Sequence, residues 1–197
     1  INPTSDLAEQ TSYYVQIAST AFDDLYGNSY AGITDKTTYN FTTADETAPS
    51  LLSSSPVDNA TSITTSSNIV LTFSEAVAKG TGNIVIYKSS DDSAVETFDV
   101  ASSTLVTGTG TNTITINPTS DLAEQTSYYI QIAATAFDDL YGNSYAGITD
   151  KTTYNFTTAD ETAPTLSSTS STSIAENTTT VHTYTTDETV TWSLNGG

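Results

Sequence analysis

The chain has 197 residues, of which 23 are acidic against four Lys and no Arg, for a net charge of −19. So few cations exclude nucleic-acid binding, which needs cationic contacts to phosphate, and an anionic membrane surface would repel the chain. Cysteine is absent, which excludes disulfides, thiol catalysis and thiolate metal sites.

The first segment recurs later. Residues 1–49 return as 116–164 with two differences, Val15 against Ile130 and Ser19 against Ala134. The offset, 116 − 1 = 115 residues, suits a whole domain and far exceeds a solenoid unit. The frame predicts three pieces. Residues 1–47 form the back part of one unit, 48–163 a complete unit, and 164–197 the front of another. With no Met and an opening in mid-unit, the chain reads as a window on a longer polypeptide. No apolar run approaches the ~20 residues of a membrane span, so membrane insertion is not expected.

Within the complete unit, Thr, Ser, Val, Ile and Tyr dominate and alternate, the pattern of half-buried strands. A leading strand is expected around Leu51. Ile69, Leu71 and Phe73 share one face of the next, and Ile84 and Ile86 one face of another. Phe98 and Val100 form a short pair, and Ile114 and Ile116 alternate with Thr113 and Thr115. Tyr128, Ile130 and Ile132 alternate with Tyr129 and Gln131, and Tyr154 and Phe156 close the unit. Turn signals separate these runs at 55–59, 79–82, 89–92, 108–110 and 117–118. The sum is an all-β fold: tandem sandwiches of the immunoglobulin type with about seven strands each. The one helix-like stretch, Asp121–Gln125, is expected as a single turn crossing between sheets. Tyr128, six residues after Leu122, is similar to the tyrosine corner of such sandwiches, and Leu7 with Tyr13 repeats it.

Three motifs in order carry a family resemblance. They are Ser55-Pro56-Val57-Asp58-Asn59, Leu71-Thr-Phe-Ser-Glu-Ala-Val77 and Phe137-Asp-Asp-Leu-Tyr-Gly-Asn143. Together they resemble the bacterial Ig-like domains found in tandem on large surface proteins and adhesins. That resemblance implies an extracellular, cell-surface structural module without catalysis. Ile174-Ala-Glu-Asn177, Thr186-Asp187 and Val190-Thr-Trp-Ser-Leu194 resemble the opening of a cadherin-like domain, with Trp192 expected in its core.

Two acidic sites stand out. The joints read Thr43-Ala-Asp-Glu-Thr-Ala-Pro49 and Thr158-Ala-Asp-Glu-Thr-Ala-Pro164. They set Asp45-Glu46 and Asp160-Glu161 beside a rigid Pro, a layout similar to cadherin linkers, which bind calcium. Thr47 and Thr162 stand where those linkers carry a further Asp or Asn. Calcium takes six to eight oxygens, so a joint that gathers carboxylates from two units suits it. The other site is Asp138-Asp139 with Asn143, joined by Glu75. At both, the alternative is plain solvated acids or turn caps, with a positive φ at Gly142.

No catalytic constellation is present. The single His, His182, falls in the C-terminal piece, and no Gly-rich phosphate loop opens a helix. The expected role is a non-enzymatic spacer segment of a long adhesin or surface fibre. Its partners are then neighbouring repeats of the same chain and, in a filament, other copies. The rival readings are a carbohydrate- or protein-binding module, recognising a cell-surface or glycan ligand through Tyr141 and Tyr145, or an accessory region of a secreted enzyme.

Overall fold

The computed structural model describes residues 1–168, 176 and 184–193. In the upstream half-unit, β1 (Ser12–Tyr14) pairs antiparallel with β2 (Asn40–Thr42). The complete unit then supplies β3 (Leu51–Ser55), β4 (Ala60–Ile63), β5 (Ile69–Lys79), β6 (Asn83–Lys88) and β7 (Ala94–Asp99). They are followed by β8 (Val106–Thr107), β9 (Thr111–Ile116), β10 (Ser127–Ile132), β11 (Phe137–Asp139) and β12 (Asn155–Thr158).

Two sheets face each other. One has the order β4-β12-β10-β6-β7, and the other β11-β5-β9-β8 with β3 also on β5. The alternating apolar residues meet between them. Ile69, Leu71, Phe73, Ile84, Ile86, Phe98, Ile114, Ile116, Tyr128, Ile130, Ile132, Tyr154 and Phe156 are each at most 2% exposed. Every one lies on an apolar face expected from the sequence. The result is an all-β immunoglobulin-like sandwich, with antiparallel pairing except for β4 beside β12.

The unit holds ten strands, β3 to β12, rather than about seven. The leading strand is divided: β3 pairs with β5 in one sheet, and after the cis Ser55–Pro56 peptide β4 joins β12 in the other. The short edge strands β8 and β11 add the rest, too brief to show a period of two.

Asp121–Gln125 is not helical, and no helix forms among the described residues. Its backbone is committed to distant partners instead. Leu122 N–H donates to the Thr65 carbonyl at 3.0 Å, and Ala123 N–H to the Tyr128 hydroxyl at 3.0 Å. Gln125, at φ 49°, donates to the Ala159 carbonyl. The Ala123–Tyr128 bond is the expected tyrosine corner, and Ala8 with Tyr13 repeats it at 3.0 Å.

Two pairings on one edge of β5 set the position of the joint. Leu51 of β3 pairs with Phe73, and Asp139 of β11 with Val77. Ser74 N–H donates to the Ser50 carbonyl at 2.8 Å, just after the buried Pro49. The chain therefore enters the unit beside Glu75, between the start of β3 and the end of β11.

Candidate functional site

The loop after β11 is built by one carboxylate. The inner oxygen of Asp139 accepts the N–H groups of Tyr141 and Asn143, both at 2.8 Å. The other accepts the Asn143 side-chain amide at 2.7 Å. Gly142 takes φ +98°, as expected, a conformation that glycine adopts without a steric penalty. Asp24, the upstream copy, accepts the same three groups from Tyr26 and Asn28 at 2.9, 2.8 and 2.7 Å, although it is exposed. Local sequence alone therefore makes this loop. Burial opposes ionisation of Asp139, but the bonds from Asn143 and Tyr141 outweigh it and hold its pKa below the ordinary value.

The loop and the first joint, separate in sequence, meet in space. One carboxylate oxygen each of Asp45, Glu75 and Asp139 lies within 4.8 Å of the other two. Asp45 comes from the upstream side of the joint, and Glu75 and Asp139 from β5 and β11 of the complete unit. Asn143 ties them further, its amide donating to the Asp45 carbonyl at 3.2 Å. Gln10 donates to the Asp45 carboxylate at 2.5 Å. Glu9 adds a nearby charge and accepts Thr47 Oγ1–H at 2.7 Å and Glu46 N–H at 3.3 Å. Burial, then the charges of Asp45, Asp139 and Glu9, raise the pKa of Glu75.

No lysine relieves this repulsion. Lys79 donates to the carbonyls of Ser103 and Val106, and Lys151 pairs with Asp92. Lys36 lies over the Tyr14 ring, and Lys88 acts on Asp91.

The other expected acids go elsewhere. Asp138 alternates with Asp139 along β11 and turns away, accepting the Ser144 hydroxyl at 2.5 Å. Glu46 is exposed and lies outside the cluster. Glu161 folds back onto its own unit, where Thr65 donates its hydroxyl at 2.6 Å and its N–H at 3.4 Å. Asp160 keeps the Asp45 pattern, accepting Gln125 at 2.7 Å and Thr162 N–H at 3.3 Å.

The second joint also has a carboxylate that sequence reading missed. Asp187 N–H donates to the Thr165 carbonyl at 3.3 Å, as Ser74 does to Ser50. Thr165 N–H donates to the Asp187 side chain at 2.8 Å, as Ser50 does to Ser74. Glu188 therefore takes the place of Glu75. Its pKa is raised by burial first and then by Asp160. The signal was present: Ser74-Glu-Ala-Val77 is matched by Asp187-Glu-Thr-Val190. The Ile174–Asn177 motif lies outside the described residues except Glu176, as do His182 and Leu194, while Trp192 is 58% exposed rather than in a core.

Of the two tyrosines proposed for recognition, Tyr145 is buried edge-on against Phe73 at 5.2 Å, which removes it from any surface. Tyr141 is 63% exposed and borders a groove of about 250 Å³ with Gln10 and residues 42–45.

No curated protein matches the chain. The family model for a bacterial Ig-like domain matches residues 45–158, more than half of the chain and the whole of the sandwich from Asp45 to the end of β12. Domains of this family occur in bacterial surface proteins. The sandwich, its tyrosine corner and this match agree: the chain belongs to the bacterial Ig-like domain family.

Proposed function

We propose that the chain is a non-enzymatic spacer segment of a long bacterial surface protein or adhesin, with calcium stiffening the joints between its units. The observation that carries this reading is the meeting of Asp45 with Glu75 and Asp139 across a joint. Three carboxylates and no nitrogen or sulfur donor make a hard oxygen set, which fits calcium completed by carbonyls and water. The pairing of Asp160 with Glu188 at the next joint supports a repeated device. Each sandwich would add roughly 40 Å of reach, judging from strand lengths plus end loops. Catalysis has no part in this reading.

Thermal unfolding of the full chain with calcium and with chelator tests it. Calcium at a hundred times its Kd adds about 2.7 kcal/mol, so the midpoint should rise by several degrees. Glu75→Gln should remove most of that rise while leaving the chelated midpoint unchanged or higher. An equal midpoint with and without calcium would sink the joint reading.

Tyr141 favours a second reading, a carbohydrate- or protein-binding module, because its exposed ring borders the groove at the same joint. Loss of glycan or surface binding in Tyr141→Ala, with unfolding unchanged, would support that role.

A further inference from the structure

The sequence holds four Asn-X-Thr tripeptides, at Asn40, Asn59, Asn155 and Asn177. This pattern is the acceptor signal for N-linked sugar. The side-chain amide takes the sugar and the hydroxyl two residues on belongs to the signal, so both groups must be within reach of a transferase. Asn177 lies outside the described residues.

Two of the other three have both groups engaged. The Asn155 amide donates to the Asp58 carboxylate at 3.0 Å and to the Thr152 carbonyl at 3.4 Å. The Thr157 hydroxyl shares a hydrogen bond with Ser127 at 2.8 Å, and Asn155 lies opposite Tyr129 within the sheet. Asn40 repeats this arrangement, its amide on the Thr37 carbonyl and Thr42 bonded to Ser12, both at 2.9 Å.

Asn59-Ala60-Thr61 differs. Ala60 N–H donates to the Val57 carbonyl at 3.1 Å and closes a turn with Asn59 as its third residue. The φ of +61° there is left-handed, a conformation that Asn tolerates better than most residues. Asn59 N–H pins the turn to β12 through the Asn155 carbonyl at 2.8 Å. Both Asn59 and Thr61 are exposed. The Asn59 amide donates to the neighbouring Asp58 carboxylate at 2.6 Å. Asp58 also accepts the Asn155 N–H and amide, both at 3.0 Å, so it stays bonded when Asn59 turns outward.

We propose that Asn59 is a glycosylation site, carrying a sugar on its side-chain nitrogen. In the transfer, that nitrogen bonds to the anomeric carbon of a sugar-diphosphate donor. The bond from that carbon to the diphosphate oxygen breaks, and the amide gives up one proton. The surroundings suit the product. Leu52 and Val57, 67 and 62% exposed, border an open groove of about 430 Å³ that reaches Asp58, the residue before Asn59. Ser53 and Ser54 line it too. A pyranose has apolar C–H faces and a rim of hydroxyls, so it can cover the two apolar side chains and bond to the serines. β4, which begins at Ala60, is the outer strand of its sheet. A bulky sugar beside it blocks edge-to-edge pairing with a neighbouring chain. None of this depends on the acids at the joints.

Mass spectrometry of peptides from the chain, isolated from the bacterium that makes it, tests the proposal. Cleavage at acidic residues separates Asn59 from Asn155. The Asn59 peptide should be heavier by at least one sugar residue, and the Asn155 peptide should have its unmodified mass. Thr61→Val leaves Asn59 and its turn in place but removes the hydroxyl, and should abolish the modification; Thr61→Ser should keep it. An unmodified Asn59 peptide would overturn the proposal. Equal modification of Asn155, or a sugar that persists on Asn59 in Thr61→Val, would overturn it as well.

Discussion

Asp45 and Asp139 belong to opposite sides of a joint, 94 residues apart in sequence (139 − 45), and present carboxylate oxygens within 4.8 Å of each other. Asn143 spans them, donating one amide proton to the Asp45 carbonyl and another to the Asp139 carboxylate. The joint is thus held by directional bonds and strained by like charge at the same place. A cation there would turn the repulsion into attraction.

Tyr154 makes the unit sensitive to alkali. Its hydroxyl is buried without a well-formed hydrogen bond, beside Ser54, and burial lifts its pKa from 10.0 to about 12. A raised folded-state pKa means stability that is complete below pH ~10 and is lost as pH climbs through ~12. Denaturant unfolding from pH 8 to 12 should show a steeper decline for the wild type than for Tyr154→Phe. The difference between the two isolates this group from the other tyrosines.

Ile132 and Ile17 offer the same substitution in two environments. Ile132→Ala opens a cavity in the core and should cost about 2–5 kcal/mol. Ile17→Ala, on the uncovered copy, should shift the main transition by less than ~0.5 kcal/mol. Equal costs would mean that the upstream half is covered in solution.

Tyr128→Phe keeps the ring in the core and removes the acceptor of Ala123 N–H. A part-buried donor left unsatisfied costs about 1–3 kcal/mol. Chemical denaturation should show a loss in that range with an unchanged m-value.

Gly108 and Gly110 separate close approach from backbone conformation. Both have positive φ, +99° and +81°, but a Cβ at Gly108 would lie 2.0 Å from the Thr113 carbonyl oxygen, whereas at Gly110 it would meet open space. Gly110→Ala should cost about 1–2 kcal/mol from backbone strain alone. Gly108→Ala should cost clearly more, because the β8–β9 turn must open.

Strand faces could be read from sequence because each core residue announces itself by alternation: Ile69, Leu71 and Phe73 need no partner to be recognised. The Asp139 loop could be read for a similar reason, since Asp24 builds it even in the open. The joint could not. Nothing local to Asp45 indicates that Glu75 and Asp139 face it; that follows from where β3 docks on β5. Asp121–Gln125 failed as a helix on the same ground, its N–H groups being taken by Thr65, Tyr128 and Ala159. Glu188 was missed because Thr186-Asp187 was read by its likeness to another module rather than aligned with Ser74-Glu75.

A calcium titration of the full chain followed by amide NMR tests the joint most directly. The account predicts saturable shifts concentrated at Asp45, Glu75, Asp139 and Asn143, weaker ones at Asp160 and Glu188, and none at Asp91 or Asp138. Shifts spread evenly over the acids, or none at all, would contradict it.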